Sequence, residues 1–92
     1  MSQKVIKVIK VINPLGIHAR PAAKIVECAG RFSSDIWLQY NGKEIDAKSI
    51  MSVLMLAAPV DAELGLRIEG SDESLARDAL EQLFGTGFGE LE

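Results

Sequence analysis

Apolar and polar positions along this 92-residue chain change period several times, and each change marks an element. Residues 5–12 hold six β-branched side chains, Val5, Ile6, Val8, Ile9, Val11 and Ile12. Such side chains lose rotamer freedom in a helix and fit a pleated surface, so a first strand is predicted. Its odd face, with Val5, Ile9 and Val11, carries one lysine against two on the even face, which favours the odd face inward. Asn13-Pro14-Leu15-Gly16 reads as a turn, with proline pre-setting φ at the second position and glycine at the fourth. Beyond it Ala22, Ile25, Val26 and Ala29 fall at i, i+3, i+4 and i+7, the stripe of an amphipathic helix with Lys24 and Glu27 on the other side and Gly30 as its stop. Pro21 is tolerated only in the first turn, where the N–H groups lack intrahelical acceptors, and this places His18 at about the N-cap.

Residues 36–40 alternate and run into Asn41-Gly42, a strong short-range hairpin signal, and residues 43–47 return as the partner strand. Ser49 then stands as N-cap of a second, short helix that Pro59 limits on its far side. Within it Ile50, Val53, Leu54 and Ala57 form one apolar stripe and Met51, Met55 and Ala58 another, so one stripe is expected to remain exposed. Leu64, Leu66 and Ile68 alternate with charged residues as a half-buried last strand. Ser71 or Asp72 caps a final helix, with a buried stripe of Leu75, Ala76, Ala79, Leu80, Leu83 and Phe84, a Glu73–Arg77 ion pair and Gly85 after its end. Residues 85–92, rich in glycine, read as a frayed, flexible tail. The order β-α-β-β-α-β-α predicts an α+β open-faced sandwich in one domain over residues 1–92: a four-stranded antiparallel sheet with three helices on one face.

Composition narrows the function. Hydrophobic residues make up 48% and charged residues 25%, as in an ordinary globular chain. Ten Lys plus Arg against thirteen Asp plus Glu give a net charge of −3, which speaks against nucleic acid and anionic membranes as partners. The longest apolar stretch, residues 50–60, contains Ser52 and Pro59 and falls short of the roughly 18 to 20 residues of a membrane span. Lys4, Lys7 and Lys10 interrupt the apolar residues of the N-terminus, unlike a secretory signal, so a cytoplasmic protein is expected. One cysteine and one histidine supply neither an internal disulfide, a four-ligand metal site nor a histidine cluster, so no metal is expected. Cys28 reads as a small packing residue, Trp37 and Tyr40 as sheet residues, and the carboxylates show no acid/base pairing.

His18, in Gly16-Ile17-His18-Ala19-Arg20-Pro21, remains as the candidate for chemistry. At an N-cap its ring lies beside the free N–H groups of the first turn, so an anion on the ring meets the positive end of the helix dipole. Pro21 has no N–H, which leaves Ala19 and Arg20 as backbone donors, and the Arg20 guanidinium suits phosphate oxygens. An imidazole, with an unperturbed pKa of about 6.5, also offers a neutral nucleophilic nitrogen at pH 7. The plainer alternative is a solvated or capping histidine beside a surface arginine.

The block Gly16-Ile17-His18-Ala19-Arg20-Pro21-Ala22 resembles the active-site signature of the HPr family, the histidine-containing phosphocarriers of the phosphoenolpyruvate-dependent phosphotransferase system. A second block, Tyr40-Asn41-Gly42-Lys43 followed by Lys48-Ser49-Ile50-Met51, resembles the segment around that family's regulatory serine, and the likeness runs from about Lys4 to about Leu83. The resemblance implies that His18 accepts a phosphoryl group on Nδ1 from the phosphohistidine of enzyme I and passes it to a histidine or cysteine of an EIIA-type partner. Arg20 would offset phosphate charge. No cofactor is implied, phosphoenolpyruvate being the ultimate phosphoryl source. The resemblance further implies phosphorylation of Ser49 by an HPr kinase/phosphorylase, docking of partners through Ile50 and Met51, and a monomer. The chain departs from the pattern in two places. Ala57-Ala58-Pro59-Val60-Asp61 stands where relatives commonly have glycines, so Asp61 is expected to take a strained dihedral, and Leu15 is apolar where several relatives are small or polar. Two rival readings stay open: a carrier of the nitrogen-related branch with a regulatory output, and a non-catalytic α+β binding module in which His18 is structural.

Overall fold

The structure is a computed structural model that describes residues 5–90. The elements follow the expected order: β1 (Val5–Lys10), α1 (Ala19–Gly30), β2 (Asp35–Tyr40), β3 (Lys43–Asp46), α2 (Ile50–Met55), β4 (Glu63–Glu69) and α3 (Glu73–Gly85), then a 3-10 turn over Gly87–Gly89. The four strands form one antiparallel sheet in the order β1-β4-β2-β3. Asn41 and Gly42, both at positive φ, make the two-residue turn between β2 and β3.

Period-2 alternation decides which face meets the helices. Leu64, Leu66 and Ile68 of β4, Ile36 and Leu38 of β2 and Ile9 of β1 are buried, whereas Val8 faces solvent, as an inward odd face requires. The side chain of Val5 lies outside the described residues. Ala22, Ile25, Cys28 and Ala29 of α1, Val53 of α2 and Ala76, Leu80 and Phe84 of α3 complete the core. Truncating one of the central leucines, such as Leu66→Ala, is a cavity-forming change of about 2–5 kcal/mol. The Cys28 thiol is buried, and burial raises its pKa, as befits a packing residue. On the open face of the sheet Arg67 Cζ lies 3.7 Å from the Trp37 ring centroid, and the guanidinium bonds Glu44 and Glu69 at 2.7 and 2.6 Å. Among the described residues no helix is long and apolar enough to cross a membrane.

Four local expectations are corrected. Leu75 is 65% exposed, because α3 buries the narrower stripe Ala76, Leu80 and Phe84, with Ala79 and Leu83 at its margin. Arg77 reaches its neighbour Asp78 at 3.3 Å rather than Glu73. Helix α2 ends at Met55, well before Pro59, because Ala57 turns left-handed at φ 51, so the two stripes do not run on to residues 57 and 58. Val53, Leu56 and Ala58 go inward, while Ile50, Met51, Met55 and Ala57 stay exposed. Residues 85–90 are no frayed tail. Gly85 still belongs to α3, and Phe88 is buried edge-on against Phe84, with ring centroids 4.8 Å apart. Residues 91 and 92 lie outside the described residues. Asp61 does take the strained dihedral, at φ 72.

Candidate functional site

The segment joining β1 to α1 is held from two sides. Gly16 N donates to Asn13 O at 3.1 Å, closing the turn read from Asn13-Pro14-Leu15-Gly16. Gly16 sits at φ +71 against the loop after α2, so close that a Cβ would lie 2.6 Å from Ala58 O. Ile17 is buried, and its N–H donates to the same Ala58 carbonyl at 2.9 Å. With residues on both sides fixed, the next residue is aimed outward.

That residue is His18, the N-cap of α1, in extended conformation (φ −107, ψ −163) with its carbonyl accepting from Ala22 N at 2.9 Å. Its side chain makes no capping hydrogen bond. The ring, 39% exposed, therefore stands at the rim of the helix start, where the N–H groups of Ala19 and Arg20 have no intrahelical acceptor. Pro21 sits buried in the first turn, where its missing N–H costs nothing. Leu15, His18, Arg20, Lys24 and Glu90 line one shallow cleft of ≈ 460 Å³.

Two residues of the site were missed by sequence reasoning. The Glu90 carboxylate lies 3.2 Å (Oε1) and 3.1 Å (Oε2) from His18 Nε2, and its Oε1 also accepts from Asn13 Nδ2 at 3.0 Å. Asn13 is buried and donates its other amide hydrogen to Gly16 O at 2.7 Å, so both donors are engaged. Desolvation pushes the Glu90 carboxyl up, but the hydrogen bonds from Asn13 and His18 and the charges of His18 and Arg20 together outweigh it and hold it below the usual range. Asn13 was legible only as a turn residue, and Glu90 falls in the stretch read as tail.

The second block of the sequence lies on α2. Ser49 is its N-cap, with Oγ accepting from Ser52 N at 3.4 Å, and Lys48 Nζ donates to Phe32 O at 2.9 Å. Ile50 and Met51 follow on the exposed side, with Met51 64% and Met55 70% exposed. None of Ser49, Ile50 and Met51 is among the residues lining the His18 cleft. The connection is through backbone: the loop leaving α2 supplies the Ala58 carbonyl that fixes Ile17.

A family model described as "PTS HPr component phosphorylation site" matches residues 5–86. The phosphocarrier protein HPr of Cupriavidus necator is 48% identical over 82 residues, which cover 89% of this chain and 92% of that protein. The phosphocarrier protein HPr of Treponema pallidum is 48% identical over 86 residues, 94% of this chain and 98% of its own. The crystal structure of HPr-C-His from Thermoanaerobacter tengcongensis matches with a TM-score of 0.89 at 40% identity, covering 98% of this chain and 99% of that one. With sequence, strand order and the placement of His18 at a helix start all in agreement, the chain belongs to the HPr family, the phosphocarriers of the phosphotransferase system.

Proposed function

We propose that His18 is the phosphoryl-accepting residue of this carrier, taking the group on Nδ1 from the phosphohistidine of enzyme I and handing it to an EIIA-type acceptor for sugar uptake. The observation that carries this reading is the position of the ring: half-exposed, uncapped and at the start of a twelve-residue helix. A phosphoryl group there faces the N–H groups of Ala19 and Arg20 and the positive end of the dipole, a contribution of about 0.3–1 kcal/mol at an exposed site. Arg20, exposed on the same cleft, adds a charge-assisted contact. A relay works by not holding its cargo too tightly, and an open cleft with an exposed arginine meets that need better than a closed pocket.

Ser49 and the exposed side chains of α2 fit regulation and docking. Phosphorylation of Ser49 by an HPr kinase/phosphorylase would add about −1.5 to −2 charges beside Ile50 and Met51, the side chains we assign to partner contact. An acidic partner would then be repelled from the surface it docks on. Incubation with enzyme I and radiolabelled phosphoenolpyruvate tests the central claim. His18→Ala should take up no label while keeping the wild-type circular dichroism spectrum, and the wild-type label should be acid-labile and base-stable. A His18→Ala protein labelled at the wild-type rate would overturn the assignment.

A further inference from the structure

Residues 86–90 fold into a strap whose end meets the His18 ring. Gly89 N donates to Thr86 O at 3.1 Å and Glu90 N to Gly87 O at 2.9 Å, closing the 3-10 turn. Gly87, Phe88 and Gly89 all have positive φ (60, 58 and 75), a reversal that brings the chain back over the start of α1. The Phe88 ring is buried against Phe84, and Lys24 Nζ donates to Phe88 O at 2.6 Å. The anchored strap presents Glu90, its side chain 16% exposed, to Asn13 Nδ2 and His18 Nε2. This segment lies past residue 86, where the match to the family model stops.

A carboxylate only accepts hydrogen bonds, so an imidazole nitrogen 3.1–3.2 Å from both its oxygens is the one that carries the proton. A neutral imidazole has a single N–H, and the lone pair then resides on the other nitrogen. We propose that Glu90 is a positioning residue for the carrier reaction, fixing the His18 proton on Nε2 and so presenting Nδ1 as the nucleophile. The proposal rests on His18 being the phosphoryl acceptor. In the transfer the Nδ1 lone pair forms the new N–P bond while the N–P bond of the donor phosphohistidine breaks, its electron pair returning to the donor ring. The Nε2 proton stays in place, and the Glu90 carboxylate, still bonded to it, offsets the positive charge that the ring gains as the N–P bond forms. Arg20 and Lys24, the cationic side chains on the same cleft, offer no acceptor for Nε2–H, and Lys24 is engaged by Phe88 O, so Glu90 is the group that takes that proton's hydrogen bond.

Imidazole ¹⁵N shifts of the unphosphorylated full chain, labelled at histidine, read the tautomer directly at a pH where the ring is neutral. The wild type should show Nε2 protonated and Nδ1 bare. Glu90→Ala, which leaves the Phe88 anchor in place, should mix the two tautomers and slow single-turnover phosphoryl acceptance from phosphorylated enzyme I roughly tenfold, the scale of one charge-assisted hydrogen bond. Glu90→Asp should restore part of both. A wild type with the proton on Nδ1, or a Glu90→Ala protein with unchanged shifts and rate, overturns the proposal. Absence of label in wild type and variant alike would instead overturn the acceptor role of His18, while the shifts alone would still decide whether Glu90 sets the tautomer.

Discussion

At φ +71 Gly16 holds a conformation that an L side chain reaches only with strain, and an added Cβ would press on the Ala58 carbonyl at 2.6 Å. Backbone atoms on that side leave little room to yield, and the displaced carbonyl is the one that fixes Ile17. Gly16→Ala should therefore destabilise the domain by about 1–3 kcal/mol, read as a lower urea midpoint, and should also slow phosphoryl uptake at the proposed acceptor, His18, which follows directly on Ile17. An unchanged midpoint would show that the loop adjusts freely. At this scale the sequence was informative where the chemistry is contiguous. His18, Ala19 and Arg20 fall in one short block whose spacing already implies a helix start with an imidazole on it. Glu90 was not legible, because a contact spanning 72 residues leaves no periodicity. Asn13 was half legible: its place in a turn was clear, but its bond to a distant carboxylate was not.

Elements with a sustained period were read correctly, and those decided by a single residue were not. The β2–β3 hairpin and β4 carry several alternating positions each, and α1 carries four apolar positions at helical spacing. Helix α2 has six residues, too few for a stripe to average over, and the left-handed turn at Ala57 ends it before Pro59 can. A glycine there would have announced that turn, but alanine does not. In α3 Leu75 lies just outside the arc that meets the sheet, a matter of how the helix is rotated on its neighbours rather than of its own pattern. The exposed side of α2 gives a prediction at the same scale. Ile50→Ser with Met51→Ser removes side chains that are largely outside the core, so unfolding free energy should change by less than about 1 kcal/mol. Affinity for enzyme I, measured by calorimetry, should fall at least about tenfold if these side chains are docking anchors. Undiminished affinity would remove α2 from the interface.

The domain is tied together at long range by Asp72, the N-cap residue of α3, whose side chain makes no bond to that helix and instead reaches the loop between α1 and β2. Its carboxylate accepts from Ser33 N and Ser34 N, both at 2.9 Å, and from the two hydroxyls. The Ser34 hydroxyl foremost, then the Ser33 N–H and the remaining bonds, hold the Asp72 carboxyl at about 2 against desolvation. A folded-state value below that of the unfolded chain, about 3.9, means the carboxylate stabilises the fold above that pH and loses its contribution as pH falls to about 2. Asp72→Asn should lower the chemical-denaturation midpoint at pH 7 and flatten its decline between about pH 4 and pH 2. A variant with the wild-type acid limb would assign that limb to other carboxylates. The network on the opposite face of the sheet has a practical consequence. Trp37 is the single indole of the chain and is roofed by the Arg67 guanidinium, which Glu44 and Glu69 hold in place. Its fluorescence is thus a local optical gauge of sheet integrity: emission shifts when β2 and β4 part, and it reads the sheet separately from the His18 cleft, whose lining does not include Trp37.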